Sequence, residues 1–125
     1  KEKGLYDPAY LEALATSPSL ATGALNGMFI EQKLDVIIAQ TNGPGWLSTL
    51  GKGDAFSGPS ASQMPAIAGF PHLTVPMGLS GGLPVGLSII GPKWHDHVVL
   101  KAGYAYEQLS KARVVPQFRN SVGSK

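Results

Sequence analysis

Cysteine is absent from this 125-residue sequence, which excludes disulfides and thiolate metal sites and leaves the redox compartment open. Charge is scarce. Only 14% of residues are Asp, Glu, Lys or Arg, against roughly a quarter in ordinary domains. The ten Lys and Arg are scattered, the net charge is +2, and the densest basic cluster is Lys1-Glu2-Lys3. Nucleic acid therefore has no electrostatic footprint here. No apolar run approaches the roughly 18 residues that a membrane-crossing helix requires, so no membrane span is expected. The chain opens at Lys1 without Met and without a signal-peptide pattern, an opening that reads as a piece of something longer.

What is present is apolar and punctuated. Hydrophobic residues make up 43% of the chain, so little charge surrounds a normal apolar share. That balance suits a segment buried on several sides within a larger body. The 16 Gly and 10 Pro cluster between residues 43 and 92. They separate apolar runs without replacing them, which argues for turns over disorder. The chain has no internal repeat and no boundary signal, and residues 1–125 are read as a single segment.

Asp7-Pro8 is a helix start, with a capping carboxylate and a ring that presets φ. Thr16-Ser17-Pro18 is expected to interrupt that helix, and a second helix is expected over Ala24 to Lys33. Leu34 to Ala39 reads as a strand. Its β-branched run Val36-Ile37-Ile38 suggests burial on both faces, as in a central strand. A long Gly- and Ser-rich loop follows from Thr41 to Met64, a length usually tied to function. Leu73 to Met77 and Val85 to Ile90 are the next strands. A turn over Gly78 to Gly82 implies an antiparallel hairpin. Pro76 belongs at an edge, a strand end or a bulge. His95-Asp96-His97 opens a helix with Val98, Val99, Ala102, Ala105, Tyr106 and Leu109 at helical spacing. Residues 114 to 125 read as a frayed tail.

Few residues offer chemistry. Ser57, Ser60 and Ser62 lie in the long loop and read as turn or cap residues. No G-x-S-x-G elbow between a strand and a helix is present. His95 and His97 stand two apart, which points them to different sides of a helix, so no metal site is expected. His72, beside a strand, reads as packed. Gly43-Pro44-Gly45 and Gly81-Gly82 lack the context of phosphate loops. The loop start is more informative, because ligands of open α/β sheets bind where buried strands end. Trp46 and Phe56 offer apolar walls there, and Asn42 and Asp54 offer directional polar groups. These four are the candidate substrate-binding residues. The competing reading is a hydrophobic latch that closes the core.

The stretch Pro65 to Gly78 (PAIAGFPHLTVPMG), followed by Gly82 to Gly91 (GLPVGLSIIG), resembles the C-terminal part of amidase signature hydrolases. Leu34 to Thr41 is similar to that family's L-D-x-x-x-x-P-T strand, with Gln40 in place of the usual proline. Gly53-Asp54-Ala55-Phe56 and the serines after it resemble the peptide amidase-like branch. The resemblance runs from about Tyr6 to Phe118. It implies an α/β fold, the C-terminal part of the amidase signature architecture, with a mixed sheet flanked by helices. It implies a parent enzyme, an amidase that hydrolyses carboxamide C–N bonds through a Ser–cis-Ser–Lys triad without a cofactor. The triad motifs do not occur in this chain, so no residue is assigned as catalytic and the segment alone is expected to be inactive. The implied partners are a small-molecule or peptide amide substrate and the remainder of an amidase chain. The alternative is a stand-alone, non-catalytic binding or interaction module derived from the same fold.

Overall fold

The computed structural model describes residues 4–46, 48, 50–56 and 58–117. Six elements occur in the order α1 (Pro8–Glu31), β1 (Ile37–Gln40), α2 (Gln63–Ala68), β2 (His72–Ser80), β3 (Leu83–Ile90) and α3 (Asp96–Ser110).

Helix α1 starts as its sequence dictates. The Asp7 carboxylate accepts from the Ala9 N–H at 2.9 Å, and Pro8 occupies the first turn. The helix then continues through Pro18, where an interruption was expected. A proline inside a helix removes one N–H donor and crowds the preceding turn. Packing further along offsets that loss, because Ala21, Leu25 and Phe29 are buried on one stripe of the same helix. Phe29 stacks on Phe70 with ring centroids 6.3 Å apart and planes within 12°. Phe70 follows α2, a short helix that the sequence pattern did not reveal. It ends on Gly69 at φ 70°, and the Phe70 N–H returns to the Pro65 carbonyl at 2.9 Å. That left-handed exit favours glycine.

The described strands form an antiparallel sheet in the order β1-β3-β2. The expected mixed sheet is thus represented here by three antiparallel strands. β2 and β3 join as a hairpin, and its turn is tighter than expected. Pairing extends to Ser80↔Leu83, leaving Gly81 and Gly82 at φ 59° and 81°. Positive φ at both central residues is what a two-residue hairpin turn demands. Pro76 cannot donate to the ladder, and a register shift falls between Pro76 and Gly78. The bulge absorbs the missing donor, and the ladder resumes beyond it.

β3, not β1, is the strand buried on both faces. Ile90 joins Ala21, Leu25, Phe29, Ala68 and Phe70 under α1 and α2. Its neighbour Ile89 joins Val75 and Val99 under α3. The alternation follows from the period-2 pleat. β1 shares this pattern only at its start: Val36 packs with the α3 cluster and Ile37 with the α1 cluster. Ile38 is 65% exposed, because β1 pairs with β3 alone among the described residues. The apolar stripe of α3 is also narrower than expected. Val99, Ala102 and Tyr106 face the sheet, while Leu109 is 86% exposed. Gly103 brings the helix close, since a Cβ there would stand 2.3 Å from Leu73 Cδ2.

The chain exposes 9535 Å², against about 6,400 Å² for a compact folded monomer of its mass. Large apolar side chains contribute on every element except β3, including Leu14, Leu20 and Ile30 of α1, Leu79 of β2 and Tyr104 of α3. No described helix is long and apolar enough to cross a membrane.

Candidate functional site

The sheet face that carries Ile37 and Ile90 beneath α1 and α2 turns polar further along. Thr74 pairs with Ser88, His72 pairs with Ile90, and Ala39 pairs with Ser88 on the other side. Strand geometry therefore puts His72, Thr74 and Ser88 on one face. Ser88 is fully buried. Its hydroxyl donates to Thr41 Oγ1 at 2.9 Å, and Thr41 Oγ1 lies 3.4 Å from Thr74 Oγ1. His72 Nε2 stands 2.6 Å from Ser88 Oγ. A serine hydroxyl has one proton, and here it goes to Thr41. Nε2 must then be the donor, which fixes the neutral tautomer with its hydrogen on Nε2. Burial holds the His72 pKa below the usual histidine range, in keeping with a neutral ring. No buried side-chain N or O is left unpartnered among the described residues.

Thr41, one end of this relay, is also the hinge of the long loop. Its N–H donates to Gly86 O at 2.8 Å, and its own carbonyl accepts from Ala61 N–H at 3.0 Å. A second pinch lies one step out: a Cβ on Gly58 would meet Gly43 Cα at 3.2 Å. The loop is thus closed at its neck, and three of the four candidate site residues lie together beyond that neck. Trp46 Nε1 donates to Asp54 Oδ1 at 3.2 Å. Phe56 meets Trp46 edge-to-face, with centroids 5.6 Å apart and planes at 89°. Both rings keep exposed surface, 37% for Trp46 and 55% for Phe56.

Asn42 is engaged differently. Its backbone carbonyl accepts from Gln40 Nε2 at 2.8 Å. Gln40 is the residue that departs from the P-T pattern, and its amide side chain turns back to hold the loop's first residues. Ser60 and Ser62 hydroxyls lie 2.9 Å apart at the loop's return, as turn residues would. Ser57 lies outside the described residues. His95 and His97 rings are 5.8 Å apart, and no group of three metal-ligating side chains occurs among the described residues. A cleft of about 280 Å³ lies beside the bulge between Gln40, Pro44, Met77, Leu79 and Val85.

The sequence gives His72 as packed beside a strand, which its bond to Ser88 fits, and assigns no role to Thr74 or Ser88. A signal existed. His72-x-Thr74, and Ser88 in an otherwise apolar run, place polar side chains at period 2 on one face.

No family model matches the chain. It is 37% identical over 110 residues to a glutamyl-tRNA(Gln) amidotransferase subunit of Lachnospira eligens, covering 84% of this chain and 22% of that protein. Among solved structures, the peptide amidase PAM bound to the competitive inhibitor chymostatin superposes with a TM-score of 0.85 at 41% identity. That match covers 94% of this chain and 24% of the enzyme. Native peptide amidase from Stenotrophomonas maltophilia gives a TM-score of 0.79 at 34% identity, over 95% of this chain and 24% of that one. The chain is a segment of the amidase signature fold. It spans about a quarter of the peptide amidases and less of the curated relatives it matches.

Proposed function

We propose that this segment forms the scaffold and part of the substrate pocket of an amidase that hydrolyses carboxamide C–N bonds, with peptide amides as the substrate class. The observation that carries the reading is the superposition of 94% of the chain on a peptide amidase at 41% identity. In this reading a Ser–cis-Ser–Lys triad lies in sequence upstream of Lys1, and the remainder of that chain covers the apolar side chains exposed here. The excess surface of the isolated segment supports it. The loop beyond Thr41 supplies the pocket wall through Trp46, Asp54 and Phe56, with Asn42 at its base.

An amidase of this kind works by nucleophilic attack on the amide carbon, with backbone N–H groups stabilising the oxyanion. This segment's part is positioning. A wall held rigidly at one neck aligns the acyl portion of the substrate, and misalignment by about 1 Å costs up to about a hundredfold in rate.

Reading the coding frame upstream of Lys1 and assaying the protein it encodes tests the proposal. A Gly/Ser-rich signature with its lysine, together with release of ammonia from C-terminally amidated peptides, is expected. The isolated 125 residues should release none. In the complete protein, Trp46→Ala should lower kcat/KM for bulky amides more than for small ones. An upstream frame without that signature, or a uniform loss that tracks stability, overturns the reading.

A further inference from the structure

The loop cluster contains more than apolar wall. The planes of Trp46 and Phe56 stand at 89°, so the two rings form a corner. Asp54 closes one edge of it, with Oδ1 held by the indole N–H at 3.2 Å. That bond leaves the second carboxylate oxygen without a partner among the described residues. Lys52, the one cation between Thr41 and Ser62, forms no ion pair with Asp54 among them. An apolar corner alone would favour a neutral aliphatic or aromatic group. A carboxylate at its edge reverses the preference. A neutral group seated there strips water from Asp54 and gives nothing in return. A cationic group meets two π faces and the free oxygen together.

We propose that this corner binds a positively charged group, an ammonium or guanidinium, on the substrate, so that amides carrying a cation near the scissile bond are preferred. The inference rests on the reading of this loop as substrate-facing. The indole N–H fixes the carboxylate at the ring's edge before a ligand arrives. An anionic group in the same position is repelled.

The test is the rate of ammonia release by the complete protein, this segment joined to its upstream sequence, from three amides. The three separate the sources of charge: N-acetyl-lysinamide, with a side-chain ammonium; norleucinamide, with an α-ammonium; and N-acetyl-norleucinamide, with neither. At least one cationic amide should show a kcat/KM about tenfold above the neutral one, and the better of the two identifies which ammonium is recognised. Asp54→Asn retains an acceptor for Trp46 and should abolish the preference. Equal kcat/KM for all three overturns the inference while leaving a neutral amide pocket intact. An unchanged preference in Asp54→Asn also overturns it. No ammonia release from any of the three overturns the amidase reading itself, and the inference with it.

Discussion

His72 Nε2 lies 2.6 Å from Ser88 Oγ, across the β2–β3 ladder and one pleat removed from direct pairing. The contact joins the hairpin to the loop, because Ser88 passes its proton on to Thr41. Ser88→Ala therefore does more than delete a small group. It leaves the Nε2–H without its acceptor and takes from Thr41 the donor at the relay's buried centre. Such a loss costs about 1–3 kcal/mol. Urea denaturation should show that decrease with an unchanged m value, and a loss below about 0.5 kcal/mol would mean that water replaces the hydroxyl.

The same contact sets a pH dependence. Burial lowers the folded-state pKa of His72 below its unfolded value, which lies near about 6.5. The unfolded state then binds the proton at higher pH than the folded state does. The contribution is intact above the unfolded pKa and is lost as pH falls through the folded one. Protonation leaves Nε2–H donating to Ser88, so the loss reflects desolvation of the charged ring. Stability measured from pH 7.5 to 5 should fall more steeply for the natural chain than for His72→Gln. Parallel curves would show that His72 titrates as it does in water.

Gly86 occupies the tightest point of the relay. A Cβ there would lie 2.6 Å from Thr74 Cγ2 and 2.9 Å from Thr41 Oγ1. Both neighbours are β-branched and stiff at χ1, so neither swings aside freely. Gly86→Ala should destabilise by about 1–3 kcal/mol through overpacking. Thr74→Ser removes the obstructing methyl and keeps the hydroxyl. In that background the cost of Gly86→Ala should drop by about half or more, a coupling a double-mutant cycle detects. Additive losses would place the strain elsewhere.

Local chemistry was legible in the sequence, and long-range placement was not. Asp7-Pro8, the β-branched runs and the Gly81-Gly82 punctuation act on their own neighbours, so α1's start, the three strands and the hairpin follow from them. Pro18 misled because its cost is local while the compensation comes from Phe29 stacking on Phe70, distant in sequence. The run Val36-Ile37-Ile38 misled because apolar side chains do not reveal which strand is central. At the candidate site, Trp46 and Phe56 stood out as aromatics on a glycine-rich loop, and their contact and the bond to Asp54 follow from that loop's closure. The relay through Ser88 joins residues 41, 72, 74 and 88; their polar period was visible in the strands, but no local pattern shows that they meet.

Closure of that loop depends on Gly58. It sits at φ 92°, and a Cβ there would approach Gly43 Cα to 3.2 Å and Gly43 N to 3.4 Å. Alanine is therefore disfavoured twice, by its own backbone conformation and by contact with backbone that has no rotamer to change. The neck must open, and the segment beyond it, with Trp46, Asp54 and Phe56, loses its anchor. Gly43→Ala would test the contact from the other side. The expected result for Gly58→Ala is a selective change: Trp46 emission shifts to the red as the indole leaves Asp54 and Phe56. Global stability should fall by only about 1–2 kcal/mol, because neither Gly43 nor Gly58 belongs to the clusters around Ile89 and Ile90. Cationic amides should then lose their advantage over neutral ones at Trp46. An unshifted emission with the preference retained would show that the corner holds itself together without the neck. A collapse of overall stability would instead make the loop part of the core.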